Sequence, residues 1–160
     1  MIGLLSDRIL LASGLTEPEV DLPEPLVDLP EPLVYVDTST IRDGMLRELE
    51  AALDDLVGFI EANEPRIIAY GAYISEDGRQ LTVVHVHSES ASLEFHMDVA
   101  GQAFERFVEF VDLSSIHVYG NPSERVLNQL RKKASLLGSG QVRVQPLYAG
   151  LVRAVAPTVV

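Results

Sequence analysis

Three of the four histidines in this 160-residue chain fall between positions 85 and 96, and they are the residues whose type and spacing could do chemistry. His85 and His87 form an H-x-H pair inside the β-rich run QLTVVHVHS. A strand alternates its side chains, so residues two apart share a face about 7 Å apart along it. Two such imidazoles can share a metal only if a third ligand comes from elsewhere, and His96 or His117 are the candidates. No carboxylate cluster accompanies the pair in sequence, so the expectation is a pocket-lining, hydrogen-bonded, metal-free pair. His96 stands in the helical stretch SLEFHMDVA. An imidazole is the natural general base near neutral pH and a common axial haem ligand. His96 is therefore the candidate proton acceptor, set against the plainer reading of a half-exposed helix histidine. Tyr70, and Tyr73 on the opposite strand face, could orient an aromatic substrate or simply sit at the core edge. His117, in SIHVY, reads as structural.

Other chemistries are excluded by composition. The chain has no cysteine, so disulfides, thiolate metal sites and a cysteine nucleophile are absent. It contains no phosphate-binding glycine loop, nucleophile elbow or H-E-x-x-H helix. The net charge of −12 is uneven: residues 1–34 carry −6 and residues 113–160 carry +5. No basic stripe is interleaved with aromatics, which argues against a nucleic-acid partner. Arg131, Lys132 and Lys133 could form a small anion site, but they are expected in the last turn of a helix, where cations favour the macrodipole. The opening MIGLLSDRILLASGL lacks a basic leader region and is too short to span a bilayer. The expectation is a soluble cytoplasmic protein with no membrane partner.

The elements that must position these residues follow from periodicity. Residues 20–26 (VDLPEPL) are repeated at 27–33, and their prolines block helix and central strand alike. Residues 1–32 are therefore expected to form a disordered acidic tail, 33–153 one domain, and 154–160 a flexible end. Leu33 to Asp37 reads as a strand, with Thr38, Ser39 and Thr40 capping the helix that follows. Apolar residues from Met45 to Ile60 at three- and four-residue spacing make that helix amphipathic, and it ends by Pro65. Asp77-Gly78 between two β-rich runs predicts a hairpin. A two-residue loop there pairs Ile74 with Leu81, Ala72 with Val83, Tyr70 with His85 and Ile68 with His87. Both hairpin faces are largely apolar, and one helix layer covers only one of them, so a partner subunit is expected on the other. A second helix is expected over Ser90 to Val111, with Gly101 as its weak point. A strand from Ser115 to Tyr119 should follow, then a helix capped by Asn121 and ended by Gly138. The last strand is broken by Pro146, which confines it to an edge or bulge. The order β-α-β-β-α-β-α-β is an α+β pattern of the split βαβ type, with an extra C-terminal helix and strand.

The segment VVHVHSESASLEFHMDVAGQAFERFVEF resembles the corresponding part of antibiotic-biosynthesis-monooxygenase-like proteins, with His96-Met97 followed by Phe104, Phe107 and Phe110. In element order the likeness covers roughly residues 33–120. It implies a ferredoxin-like protomer whose sheet packs on a second protomer in a dimeric α/β barrel. Proteins of this group include cofactor-independent quinol and polyketide oxygenases, haem-degrading proteins, isomerases and ligand-sensing domains, so fold does not settle function. The expectation is a monooxygenase-like enzyme acting on a small apolar or aromatic, quinol-type substrate without a bound cofactor. His96 is then the proton acceptor, with His85 and Tyr70 orienting. A non-catalytic ligand-binding or assembly protein, and haem binding through His96, are the competing readings.

Overall fold

The computed structural model describes residues 31–151. Residues 1–30 of the expected tail at 1–32, with most of its repeat, and the whole of the expected flexible end at 154–160 lie outside the described residues. The elements are β1 (Leu33–Ile41), α1 (Leu46–Asn63), β2 (Ile67–Ile74), β3 (Gln80–His87), α2 (Ser90–Ala100), a 3-10 turn (Gly101–Ala103), α3 (Phe104–Phe107), β4 (Val111–Tyr119), α4 (Glu124–Leu137) and β5 (Gly138–Gln145). They build one five-stranded sheet in the order β2-β3-β1-β4-β5. This is the ferredoxin-like α+β arrangement expected, extra helix and strand included, except that the sheet is not antiparallel throughout. The first four strands are antiparallel, but β5 runs parallel to β4 because α4 serves as a crossover between them. No helix among the described residues is long and apolar enough to cross a membrane.

β1 lies in the middle of the sheet and sets its two faces. Leu33, Tyr35, Asp37, Ser39 and Ile41 are buried, while Val34, Val36 and Thr38 between them are only half-buried. Thr38, Ser39 and Thr40 were expected as helix caps. They are instead strand residues, because β3 and β4 flank β1 on both sides and offer ladder partners as far as Thr40. α1 consequently starts at Leu46, without a side-chain cap, after a turn at Gly44 with φ +80°. It ends at Asn63 as Pro65 demands, and it buries Leu49, Ala52, Leu53, Leu56 and Ile60 against the inner sheet face.

The hairpin keeps the expected pairing of Tyr70 with His85, Ala72 with Val83 and Ile74 with Leu81. Its loop is longer than expected: Ser75 N donates to Gln80 O, leaving residues 76–79 in the turn. Only Gly78 takes a positive φ, +67°. Asp77 instead supplies its carboxylate, accepting from Ser75 Oγ at 2.6 Å and Arg79 N at 3.1 Å. An irregularity between Ile67 and Ala69 then places Ile67, not Ile68, opposite His87. Ile68 is left 61% exposed.

Three further boundaries differ from expectation. The second helix breaks at Gly101, and β4 begins at Val111, earlier than the expected Ser115. The cap of α4 is Ser123, whose Oγ accepts from Val126 N at 3.2 Å, while Asn121 reaches out to Glu31. Ser123 wins because α2 holds it: Ser123 Oγ donates to Glu94, and Ser90 Oγ accepts from its N–H. Gly138 does end α4, but its φ of 170° is ordinary extended backbone. Glycine is needed there for close approach, since a Cβ would lie 2.6 Å from Leu113 N. β5 stops at Gln145, before Pro146, at the sheet edge where proline was expected to confine it.

Val34, Val36, Val84 and Val86 are half-buried on the face opposite the helices, where Tyr73 is also exposed. The two glycines that end α2 and α4 should respond oppositely to alanine. Gly101 has helical dihedrals and open space around its missing Cβ, so Gly101→Ala is expected to stabilise by about 0.4–1 kcal/mol in urea unfolding. Gly138→Ala must push β5 off Leu113, and its loss should exceed about 2 kcal/mol.

Candidate functional site

The period-two alternation of β1 and β3 turns Tyr35, Asp37, His85 and His87 inward onto the helices. Tyr70 of β2 joins them edge-on to the His85 ring, with centroids 4.7 Å apart. Ser92 and His96, four residues apart on α2, share its buried face. Glu64 arrives from the end of α1, and Lys133 from the inner face of α4. All of these except Tyr70 are buried, and the three histidines are at most 1% exposed.

Each imidazole is held from one side. His96 Nδ1 donates to Glu64 Oε2 at 2.8 Å. Ser92 Oγ donates to Arg66 O at 3.1 Å, which leaves it to accept from His87 Nδ1 at 3.0 Å. In both rings Nε2 is buried without a partner. His85 stacks on Tyr35, with centroids 3.7 Å apart, and its Nε2 stands 3.5 Å from Asp37 Oδ2. That spacing is too long for a formed hydrogen bond, so neither His85 nitrogen is satisfied. One ring nitrogen from each of His85, His87 and His96 lies within 4.8 Å of the other two. His117 is on the opposite sheet face, stacked against Tyr119, and is not part of the group.

Beside the imidazoles is an ion pair. Lys133 Nζ donates to Asp37 Oδ2 at 2.6 Å, lies 3.4 Å from Tyr35 Oη, and sits over the Phe104 ring at 4.6 Å. Lys133 was expected in the last turn of its helix with Arg131 and Lys132. It lies instead on the buried stripe with Val126, Leu130 and Ala134. The pair borders a cavity of about 30 Å³, room for about one water, walled by Tyr70, Leu53, Leu56, Phe104 and Phe107. Outside it, a solvent-open groove of about 420 Å³ runs between α1 and the 3-10 turn with α3. Leu56 and Phe107 line both spaces and form the partition. Arg106 reaches Asp55 at 3.0 Å on the groove's rim.

The electrostatics follow from burial. Burial alone would raise the Asp37 carboxyl, but Lys133 and His85 outweigh it and hold it at about 2. Burial drives His85 well below its usual value and, with His96 nearby, takes His87 to about 3. Burial and then Asp37 push the Tyr70 phenol up, so it stays a neutral donor.

Of the residues singled out from sequence, His85, His96 and Tyr70 do come together, whereas Tyr73 is exposed on the other face. His96 is fully buried, not half-exposed, and it does not border the cavity. Sequence reading missed Asp37, Glu64 and Ser92, and it assigned Lys133 to a basic helix end rather than to the interior. The available signals were Asp37's inward parity in LVYVD and Lys133's place in an otherwise apolar helix stripe.

These shifts make the fold acid-sensitive. The unfolded chain protonates His87 below about 6.5, while the fold refuses that proton down to about 3. Stability is therefore unaffected above 6.5 and drops as pH falls, by up to about 1.4 kcal/mol per pH unit for each such histidine. Asp37 adds a loss of the same sign from 3.8 down to about 2. In chelator-containing buffer, urea unfolding should lose at least about 2 kcal/mol between pH 6.5 and 4.5. An unchanged midpoint would contradict the neutral buried imidazoles.

No family model matches this sequence, and no curated protein sequence matches it. Solved structures do match in fold. MupZ from Pseudomonas fluorescens aligns over 81% of this chain and 98% of its own, with TM-score 0.59 and 18% identity. A candidate antibiotic biosynthesis monooxygenase from Caulobacter crescentus aligns over 56% and 89%, with TM-score 0.51 and 19% identity. Rv0793 from Mycobacterium tuberculosis aligns over 59% and 98%, with TM-score 0.50 and 18% identity. The chain thus has the ferredoxin-like fold seen in antibiotic-biosynthesis-monooxygenase-like structures, as the residues from the hairpin into α2 and α3 implied.

Proposed function

We propose that the protein is a small-molecule enzyme acting on an apolar or aromatic substrate with an ionisable oxygen, of the quinol type. The observation that carries this reading is the Lys133–Asp37 pair set into a mostly apolar cavity wall. Removing two charges from water costs several kcal/mol per ion, and a well-packed apolar pair of similar volume is often as stable or more so. Stability therefore gives no reason to keep the pair, whereas chemistry does. The outer groove has the volume of a small-molecule site, and displacing Leu56 and Phe107 would join it to the inner cavity. There the Lys133 ammonium would hold the substrate oxygen as it becomes anionic, and neutral Tyr70 would orient it with His85 behind. His96 lies beyond Tyr70 and His85, so any proton it accepts comes through them. The word monooxygenase among the structural neighbours' names supports oxygenation as the reaction class.

The half-buried valines on the outer sheet face support a homodimer, packed sheet to sheet. Absence of cysteine is compatible with a cytoplasmic setting. A second reading, non-catalytic binding of a ligand in the outer groove, is favoured by one observation: the inner cavity beside the ion pair admits, as it stands, little more than a water.

Oxygen uptake with hydroquinones tests the enzyme reading, and Lys133→Met should lower the rate about 10²–10³-fold. Binding of these probes without uptake would favour the second reading. The ion pair has its own test in urea unfolding. Lys133→Met alone strands a buried carboxylate and should cost about 3–5 kcal/mol. Adding Asp37→Leu should bring stability back to within about 1 kcal/mol of the parent while activity stays lost. A double variant as unstable as the single one would make the pair structural.

A further inference from the structure

We propose that His85, His87 and His96 bind one divalent transition-metal ion of the zinc class in the buried space between their rings. This goes beyond the proposed enzyme reading and needs no substrate to be true. The first ground is that three ring nitrogens converge within 4.8 Å although the residues lie on two elements, β3 and α2. The second is that the nitrogens left free are orphans. His87 Nε2, His96 Nε2 and both His85 nitrogens are buried without a partner. Each buried polar atom left unpaired costs about 1–3 kcal/mol. A single cation would satisfy one lone pair on each ring.

The third ground is what stands behind the rings. Histidines that ligate a metal usually give their other N–H to a carboxylate, hydroxyl or carbonyl, which fixes the tautomer and aims the free nitrogen. Here Glu64 takes Nδ1 of His96 and Ser92 takes Nδ1 of His87, with Ser92 itself tied to Arg66 O. His85 lacks such a bond: Asp37 stands 3.5 Å from its Nε2, and both of its nitrogens are without a partner. Charge balance is the fourth ground. Asp37 and Lys133 offset each other, but Glu64 is a 3% exposed carboxylate that, among the described residues, pairs with no Lys or Arg. A dication on the far nitrogen of the His96 ring would offset that charge.

The geometry must tighten on binding. Tetrahedral zinc with nitrogens at 2.0–2.1 Å places them about 3.4 Å from one another. Closing from 4.8 Å takes ring movements of roughly 1 Å, within the broad χ2 range of histidine. Three imidazoles leave a fourth position open, the arrangement typical of a reactive rather than a structural zinc. Tyr70 touches both the His85 and His96 rings and also walls the inner cavity, so it separates that cavity from the metal position.

The test uses the full chain, unfolded in urea with chelator and refolded with Zn²⁺ or Co²⁺, because the site is closed to solvent. After desalting, elemental analysis should find one equivalent per chain, Co²⁺ should give the visible absorption of a tetrahedral site, and zinc should raise the melting temperature. His117→Ala should leave binding unchanged. His96→Gln and His87→Gln should each cut occupancy at least about tenfold. Glu64→Gln, which keeps all three ligands, should weaken binding about 10–100-fold and remains informative if a histidine variant does not fold. Refolded parent protein with less than about a tenth of an equivalent overturns the site. So does a full equivalent that survives in the His87→Gln, His96→Gln double variant. Oxygen uptake by the chelator-treated chain, in which His96 Nε2 is free to accept a proton, reports separately on the enzyme reading.

Discussion

Asp37 is a carboxylate on the central strand, at a position whose parity sends it into the interior, and much of the structure answers that one constraint. A buried charge needs a partner and hydrogen bonds close by. Lys133 supplies both at 2.6 Å, and to do so its stem must run along the apolar stripe of α4 and its ammonium must lie over Phe104. The pair therefore fixes how α4 sits on β1, and through Phe104 it draws in α3 as well. His85, drawn toward the same carboxylate, is sandwiched between Tyr35 and Tyr70. A helix-to-sheet interface that apolar packing alone would leave free to slide acquires a defined register.

The interior divides into two halves with different logic. Under α1, Leu49, Leu53, Leu56 and Ile60 pack against Leu81, Val83 and Val111, and burial of apolar area suffices. Under α2 and the C-terminal end of α1, the buried atoms include imidazoles, a carboxylate and a hydroxyl that satisfy one another only in part. Folded proteins keep few buried unpaired polar groups, so a concentration of them in one place points to use rather than to accident. The break after Ala100 belongs to this division. It lets Phe104 and Phe107 turn in over the apolar half, between groove and cavity, while α2 keeps His96 over the polar half.

Much of this was legible in the chain. The hairpin register placed His85, His87 and Tyr70 on one face because strand alternation is local and the Asp77-Gly78 signal is strong. The amphipathic stripe of α1 and the edge position forced by Pro146 were read by the same local rules. Where those rules failed, a competitor from elsewhere had won. Thr38 to Thr40 joined a strand because two neighbouring strands offered ladder partners, and Ser123 displaced Asn121 as a cap because α2 held it in place.

What the sequence by itself determined is the order of elements, which residues of each share a face, and the candidacy of His85, His96 and Tyr70, since periodicity and turn chemistry act over a few residues. Only the tertiary structure decided which of the two outlying histidines joins the H-x-H pair, and which acids and bases stand behind it. Glu64 meets His96 across 32 positions, and Asp37 meets Lys133 across 96. No spacing rule spans such distances. The partners are chosen by which helix lands over which strand, and a charged residue on an apolar stripe becomes meaningful only when the opposite charge beneath it is known.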